Sequence, residues 1–429
     1  MNSSTPIETQ STNVAPSSVA EPVASDDAHA YIKKGSKAYT RAGIALFLAG
    51  FASFSLIYCV QPLLPDFATS FGISPTQSSL ALSVTTGFLS FAIVLAGAFS
   101  QAMGRKGLMF CSMALAAVLN CVVAVLPEWH GVLLARSLEG LVLGGVPAVA
   151  MAWLAEEIDP KDLGKAMGLY VGGVAFGAMM GRVSMGLLTE IASWRVAMGV
   201  LGALCLLSAI GFLMLLPASR HFVRKPGLNL SFHLQSWKTH LQNIKLIKLY
   251  IIGFMLISVF VTLFNYSTFR LTGEPYGFNQ TQVSFIFLAF AFGIVSSSMA
   301  GSLADKFGRT PLLIAAFALM LAGALLTLMT PIIGIICGVA LVTTGFFVGH
   351  SVASSAVGAA AKTAKGHASS LYLLFYYMGS SISGSVGGWF WQHGGWPAVV
   401  MFTGSYAIAG LLLIYAGVWR EKHAAHQVL

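Results

Sequence analysis

Charge is what this chain has least of. Asp, Glu, Lys and Arg make up 9% of its 429 residues, where a soluble domain carries about a quarter. With 56% hydrophobic residues, the shortage excludes a soluble globular protein and leaves one that crosses a bilayer repeatedly. Cysteine is scarce too. The five, Cys59, Cys111, Cys121, Cys205 and Cys337, lie in or beside apolar segments without paired spacing. That excludes a disulfide framework and a cysteine metal site, and leaves them as small buried hydrophobes. No G-x-S-x-G and no H-E-x-x-H occurs, so the Ser-rich stretch 379–388 and His350-Ser351 read as helix packing rather than as a membrane hydrolase. The first 40 residues contain no apolar run, hence no signal-peptide core, and their Ser, Thr, Ala and Pro content predicts a disordered tail. A net charge of +9 is spread over loops instead of a soluble domain, which argues against a nucleic-acid partner.

What is present is about twelve apolar stretches, each near the roughly 20 residues that cross a hydrocarbon core. They fall at 42–64, 78–100, 108–126, 131–154, 166–188 and 196–216, then 249–269, 283–303, 311–329, 332–356, 369–391 and 397–418. This predicts an all-α membrane protein of two six-helix bundles, 41–217 and 249–419. A polar, basic linker over 218–248 separates them, and tails of 1–40 and 420–429 flank them. If the N-terminus is cytoplasmic, all but four of the 24 Lys and Arg residues lie inside, the exceptions being Arg136, Arg182, Arg195 and Arg270. The positive-inside rule therefore predicts both termini and the linker to be cytoplasmic.

The two sets repeat one another. Gly301-Ser-Leu-Ala-Asp305-Lys306-Phe-Gly308-Arg309 has a partial copy in Gly97-Ala-Phe-Ser-Gln101-Ala-Met-Gly104-Arg105-Lys106, 204 residues earlier. Leu169-Tyr170 returns as Leu371-Tyr372, and Trp194 as Trp396, both 202 residues on. The loop resembles the G-x-L-x-D-x-x-G-R signature of the major facilitator superfamily of secondary transporters, met once per half; the first copy carries Gln101 where that family has Asp. Arg136-Ser-Leu-Glu139-Gly140 resembles the family's R-x-x-Q-G element with Glu in place of Gln. Gly173, Gly177 and Gly181 resemble its antiporter-associated glycine element, with Ala178 where proline is usual. The resemblance implies two parallel six-helix halves rocking about a pocket near the midplane. The chain is similar to bacterial inner-membrane drug and sugar efflux proteins of that family. This implies a monomer in the inner (plasma) membrane that exports a small molecule against inward proton flow, the proton being its only cofactor. Proton-linked uptake is the alternative, and a non-transporting scaffold or receptor a more distant one.

Candidate residues fall into four groups. Glu139 is the one acid within a span, and an intramembrane acid is costly enough to point to function. Depth places it with Arg136 and Arg182 in one cluster, where a single carboxylate is expected to serve both guanidinium groups. His350 in the tenth span is a candidate proton relay. Phe54, Phe260, Phe264, Phe292, Phe346, Phe347, Phe375 and Tyr376, with the hydroxyls of Ser53, Ser296, Ser297 and Ser380, are expected to line an apolar cavity suited to an amphipathic solute rather than a sugar. Tyr58, Gln61, Asn265 and Tyr266, at matching places in spans one and seven, are expected to form an outer gate. The cytoplasmic latch is expected to comprise Gly97, Gln101, Gly104, Arg105, Glu156 and Glu157 in the first half. In the second half it comprises Gly301, Asp305, Gly308 and Arg309, with Asp305 facing Lys161 and Lys165.

Overall fold

The computed structural model describes residues 31–222 and 230–426, with side chains described except at 97–103, 148, 230 and 419–426. Among the described residues, ten helices are long and apolar enough to cross a membrane. The sequence predicts about twelve, and the difference has two local causes. The fourth span is broken. Helices α1 (Lys37–Tyr58), α2 (Leu64–Phe71), α3 (Pro75–Met103) and α4 (Arg105–Val125) lead into α5 (Trp129–Leu143), which stops at a turn before α6 (Pro147–Glu157). Gly144 and Gly145 press against Ala92 and Ser112, and Pro147 offers no N–H to continue the helical ladder, so neither piece is long enough alone.

The other cause is a merger. After α7 (Leu163–Ile191), α8 (Trp194–Leu215), the linker helix α9 (Leu230–Leu241) and α10 (Ile244–Thr272), the eighth span is built from α11 (Gln280–Ser284), a 3-10 turn over Phe285–Ala289 and α12 (Phe290–Phe307). Then come α13 (Arg309–Leu326), α14 (Ile332–Ala360) and α15 (Lys365–His426), whose 62 residues hold two spans reversed at Gly395, φ 60°, ψ −152°. Separating those two and joining α5 to α6 restores twelve spans in two six-helix bundles. The described residues contain no strand beyond one isolated bridge, Ile32 to Ile158.

The repeat extends to backbone geometry. Gly104 sits at φ 87°, ψ 145° and Gly308 at φ 88°, ψ 158°, a region almost closed to residues bearing a Cβ. Each loop thus reverses the chain at the same place in its half. The glycine stripe of α7 has a different role. A Cβ at Gly173 or Gly177 would fall on the carbonyl oxygen of Phe47 or Phe51, and one at Gly181 would lie 2.7 Å from Ser55 Cα. Absence of side chains there lets α1 and α7 meet backbone to backbone, as small-residue faces do in membranes. That contact fixes where Arg182, one residue beyond the stripe, can reach.

An even number of spans returns the chain to the side from which it started, so α1 begins and α15 ends on one side of the bundle, here the terminal face. The loops after α1 and α10 lie on the opposite face.

Candidate functional site

Near the opposite face the two halves are stitched together. Gln61 Nε2 donates to Asn265 Oδ1 at 2.6 Å, with both side chains fully buried. The two residues are 204 positions apart, the interval of the loop repeat, so the bond joins equivalent points of the two halves. Nearby, Thr76 Oγ1 donates to Gln392 Oε1 at 2.7 Å, and the Gln280 backbone N–H donates to Glu190 Oε2 at 3.1 Å. Tyr266, placed in the gate by sequence, anchors mainly within its own half: its hydroxyl donates 2.6 Å to the Gly384 carbonyl and its ring stacks on Phe269 and Trp391. Tyr58 lies inside the seal, its ring 4.3 Å from the Arg182 guanidinium carbon.

The terminal face is different. Asp305, Arg309, Lys161 and Lys165 are all exposed, and among the described residues Asp305 forms no ion pair. The expectation that Asp305 meets Lys161 and Lys165 is therefore corrected: in this conformation all three side chains are exposed and the contact is not made. In the first half, Arg105 Nη2 and Nε donate to the two oxygens of Glu156 at 2.5 and 3.1 Å. Glu157 is not part of that pair. It accepts the backbone N–H groups of Arg220 and His221 at 2.8 and 2.9 Å, fastening the chain that leaves α8. Gly97 lies in α3, and the Gln101 side chain is outside the described ones. Gly301 is exposed on α12 with open space around it.

Inside the first half, Arg136 and Glu139 are both fully buried and paired at 2.7 Å. A helix leaves its last carbonyls without partners, and Arg136 supplies them at the end of α1: Nη1 donates to Leu56 O at 3.0 Å and Nη2 to Ile57 O at 2.8 Å, while Nε donates to Ala81 O on α3 at 3.2 Å. One guanidinium thus ties α1, α3 and α5 together. Glu139 Oε2 takes the remaining bond, and Oε1 has no hydrogen-bond partner.

The expected cluster of one carboxylate with two guanidinium groups is corrected. Arg182 does not pair with Glu139. Its Nε donates to Gln61 Oε1 at 2.6 Å and its Nη1 to the Ala178 carbonyl one turn back. Three rings surround it, Tyr58 at 4.3 Å, Phe290 at 4.6 Å and Phe287 at 5.4 Å, the last two from the other half. A depth count along each helix puts Arg182 level with Glu139 but says nothing about azimuth, and the two side chains leave their helices in different directions.

The predicted aromatic lining divides. Phe260 and Phe346 stack face to face, centroids 4.0 Å apart, with Phe264 and Phe347 packed on them. Phe54 lies 6.3 Å from Tyr58, and Phe375 leans on Tyr250. Tyr376 sits 4.6 Å from the His350 ring, whose Nδ1 shares a hydrogen bond of 2.9 Å with the Tyr372 hydroxyl. Phe292 is a correction: at 58% exposed it lies on the outer surface of the second half, in an apolar groove with Phe278, Phe285 and Ile336. The 3-10 turn resets the helical phase, which turns Phe287 and Phe290 inward in its place. Ser296 and Ser297 bond to their own helix, whereas the buried Ser53 and Ser380 hydroxyls have no partner. Sequence reasoning missed Phe287, Phe290, Thr76 and Gln392. For Gln61 and Asn265 the common interval of 204 was a usable signal of pairing; for the others the sequence carries none.

On the opposite face, Asp66 in α2 has an Oδ2 that is buried without a partner. Burial pushes its carboxyl up to about 6, against a backbone hydrogen bond, with the Glu190 carboxylate adding to the rise. Between about pH 4 and pH 6 the folded protein alone holds that proton, so stability falls as pH rises through this interval and is flat above it. Thermal unfolding in detergent is expected to show this slope in the wild type and to lose it in Asp66→Asn; an unchanged slope would assign it to another group.

The comparisons agree with this architecture. The sequence profile of the Major Facilitator Superfamily matches residues 46–361 and 273–428. The chain is 44% identical over 399 residues to the uncharacterized MFS-type transporter YybF of Bacillus subtilis (strain 168), covering 93% of this chain and 96% of that one. It is 40% identical over 410 residues to the inner membrane transport protein YnfM of Escherichia coli (strain K12), covering 96% and 98%. Among solved structures, a point mutant of the nucleoside transporter NupG superposes with a TM-score of 0.71 at 13% identity, over 87% of this chain and 99% of that one, a likeness of fold.

Proposed function

The chain belongs to the Major Facilitator Superfamily, and from that footing we propose that it exports a small apolar or amphipathic organic solute by alternating access, driven by inward proton flow. The observation that carries this reading is the unequal closure of the two faces. Gln61 and Asn265 bond across the halves beneath the opposite face, while Asp305, Arg309, Lys161 and Lys165 stand exposed on the terminal face. Two rigid bundles closed at one mouth and parted at the other are one end of a rocking cycle. The distribution of Lys and Arg makes the terminal face cytoplasmic, so this end is the inward-open one. The latch of Asp305 with Lys161 and Lys165 belongs to the other end, when that face shuts.

Glu139 is the proton carrier in this reading. It is fully buried, one oxygen is held by Arg136 and the other has no donor, so a proton on Oε1 is accommodated without breaking a bond. Being an inner (plasma) membrane protein follows the name of the Escherichia coli relative. The chain is read as a monomer that moves its solute chemically unchanged.

Glu139→Gln tests the coupling. The amide oxygen still accepts from Arg136, so the fold is retained, but the group no longer titrates. Solute flux in inverted vesicles is expected to respond to an imposed pH gradient in the wild type and to lose that response in the variant. Equal responses would remove Glu139 from the coupling, and accumulation in right-side-out vesicles alone would reverse the assigned direction.

A further inference from the structure

The hydrogen bonds where the two halves meet have a forced direction. A guanidinium only donates, so Arg182 Nε must meet the oxygen of Gln61. Gln61 then faces Asn265 with its nitrogen, and Asn265 must answer with its oxygen. What remains is a donor, Asn265 Nδ2, fully buried and without a partner. The unpartnered Ser83 hydroxyl lies beside it: Asn265 Nδ2 and Ser83 Oγ are 3.2 and 3.3 Å from the same point above Gly384. The chain of bonds starts on a cation and ends on a free N–H.

The charge is equally one-sided. Arg136 shows how this protein compensates a buried guanidinium, with one carboxylate and three carbonyl oxygens. Arg182, 1% exposed, has one amide oxygen, one carbonyl and three aromatic faces, and no Asp or Glu among the described residues within ion-pair distance. A charge withdrawn from water needs a counter-charge, and none is supplied by the chain here.

We propose that this interface is an anion-binding site, and that the transported solute is a monoanionic aromatic carboxylate. Its carboxylate fits the planar fork of Arg182, with the Asn265 N–H as a further donor, and its ring lies among Tyr58, Phe287 and Phe290. One uncompensated positive charge matches one negative charge; a phosphate dianion would leave a net charge buried. Arg182 and Tyr58 belong to the first half, Asn265, Phe287 and Phe290 to the second, so such a solute touches both bundles. The assignment of the solute rests on the transport reading above; the binding site itself does not.

The test uses the purified full-length chain in detergent. Benzoate, phenylacetate and indole-3-acetate are titrated against their neutral and cationic counterparts, benzamide and benzylamine, with calorimetric and thermal-shift readouts. At least one carboxylate is expected to bind about ten times more tightly than either counterpart, the ratio that about 1.4 kcal/mol of charge-assisted bonding supplies. Arg182→Gln is expected to abolish that preference, and Arg182→Lys, which keeps the charge without the fork, to retain part of it. Should Arg182→Gln fail to fold, the wild-type selectivity decides. Equal binding of benzamide or benzylamine, a preference unchanged in a folded Arg182→Gln, or no binding of any carboxylate overturns the proposal. Flux of the same probes in proteoliposomes separates the two readings. Carboxylates that bind but do not move would sink transport and leave the site. Neutral or cationic aromatics that move while carboxylates do not bind would do the reverse.

Discussion

Replacing Arg136 with leucine is expected to be the most damaging single change to the described helices. The substitution strands the Glu139 carboxylate in a fully buried position and releases the carbonyls of Leu56, Ile57 and Ala81, three acceptors on two other helices. Removing one partner of a buried pair costs about 3–5 kcal/mol, against about 0–1 kcal/mol for a surface pair, and inside a bilayer no water replaces the lost donors. The expected result is a large fall in the thermal midpoint of the detergent-solubilised protein and a poor yield of monodisperse material. Arg136→Leu combined with Glu139→Leu should recover part of the loss, because the stranded charge is gone, but not all of it, because the end of α1 still lacks its donors. Full recovery would mean that the capping of α1 contributes little. A single mutant as stable as the wild type would show that the guanidinium is dispensable.

The second large effect is expected on conformation rather than stability. Gln61→Ala removes the bond that joins the halves beneath the opposite face, and it leaves both Asn265 and Arg182 Nε without their partner. Leaving a buried polar group unsatisfied costs about 1–3 kcal/mol. The Gln61–Asn265 bond exists only when this face is closed, so the cost of stranding Asn265 falls on the closed state alone, whereas Arg182 and Gln61 share a half and the loss of their bond falls on both states. At about 1.4 kcal/mol the ratio of the two states moves roughly tenfold. A single cysteine placed at Thr76 in a cysteine-free background should therefore react with a membrane-impermeant maleimide about ten times faster in Gln61→Ala, and in Asn265→Ala similarly. A cysteine at Lys165, on the terminal face, should be slowed only slightly, because the state open on that face stays the major one. Unchanged reactivity at Thr76 would show that the Gln280–Glu190 bond and the other contacts hold the face shut without the Gln61–Asn265 bond.

How much of this was readable in advance differs from residue to residue. The apolar stretches, their number and the duplication are one-dimensional properties, and the helices follow them closely; the exceptions, the Gly144 to Pro147 break and the merged α15, concern how a span is divided and not whether it exists. The Arg136 and Glu139 pair was legible because three residues on one helix face is a local relation. The partner of Arg182 was not. Depth along a helix can be counted from the sequence, whereas the direction in which a side chain leaves depends on where its neighbours sit. The glycine contact of α7 with α1 brings Arg182 to Gln61, and the 3-10 turn after α11 swings Phe287 and Phe290 inward while leaving Phe292 on the outer surface.

By itself, then, the sequence determined that this is a membrane protein of two repeated six-span halves, because hydropathy, charge placement and repeat spacing are all written along the chain. Only the tertiary structure decided which face is sealed, which guanidinium has a carboxylate and which is left with amides and aromatic rings. Those outcomes depend on distances between residues 121 and 204 positions apart, and such distances are set by helix packing, which no local stretch of sequence encodes.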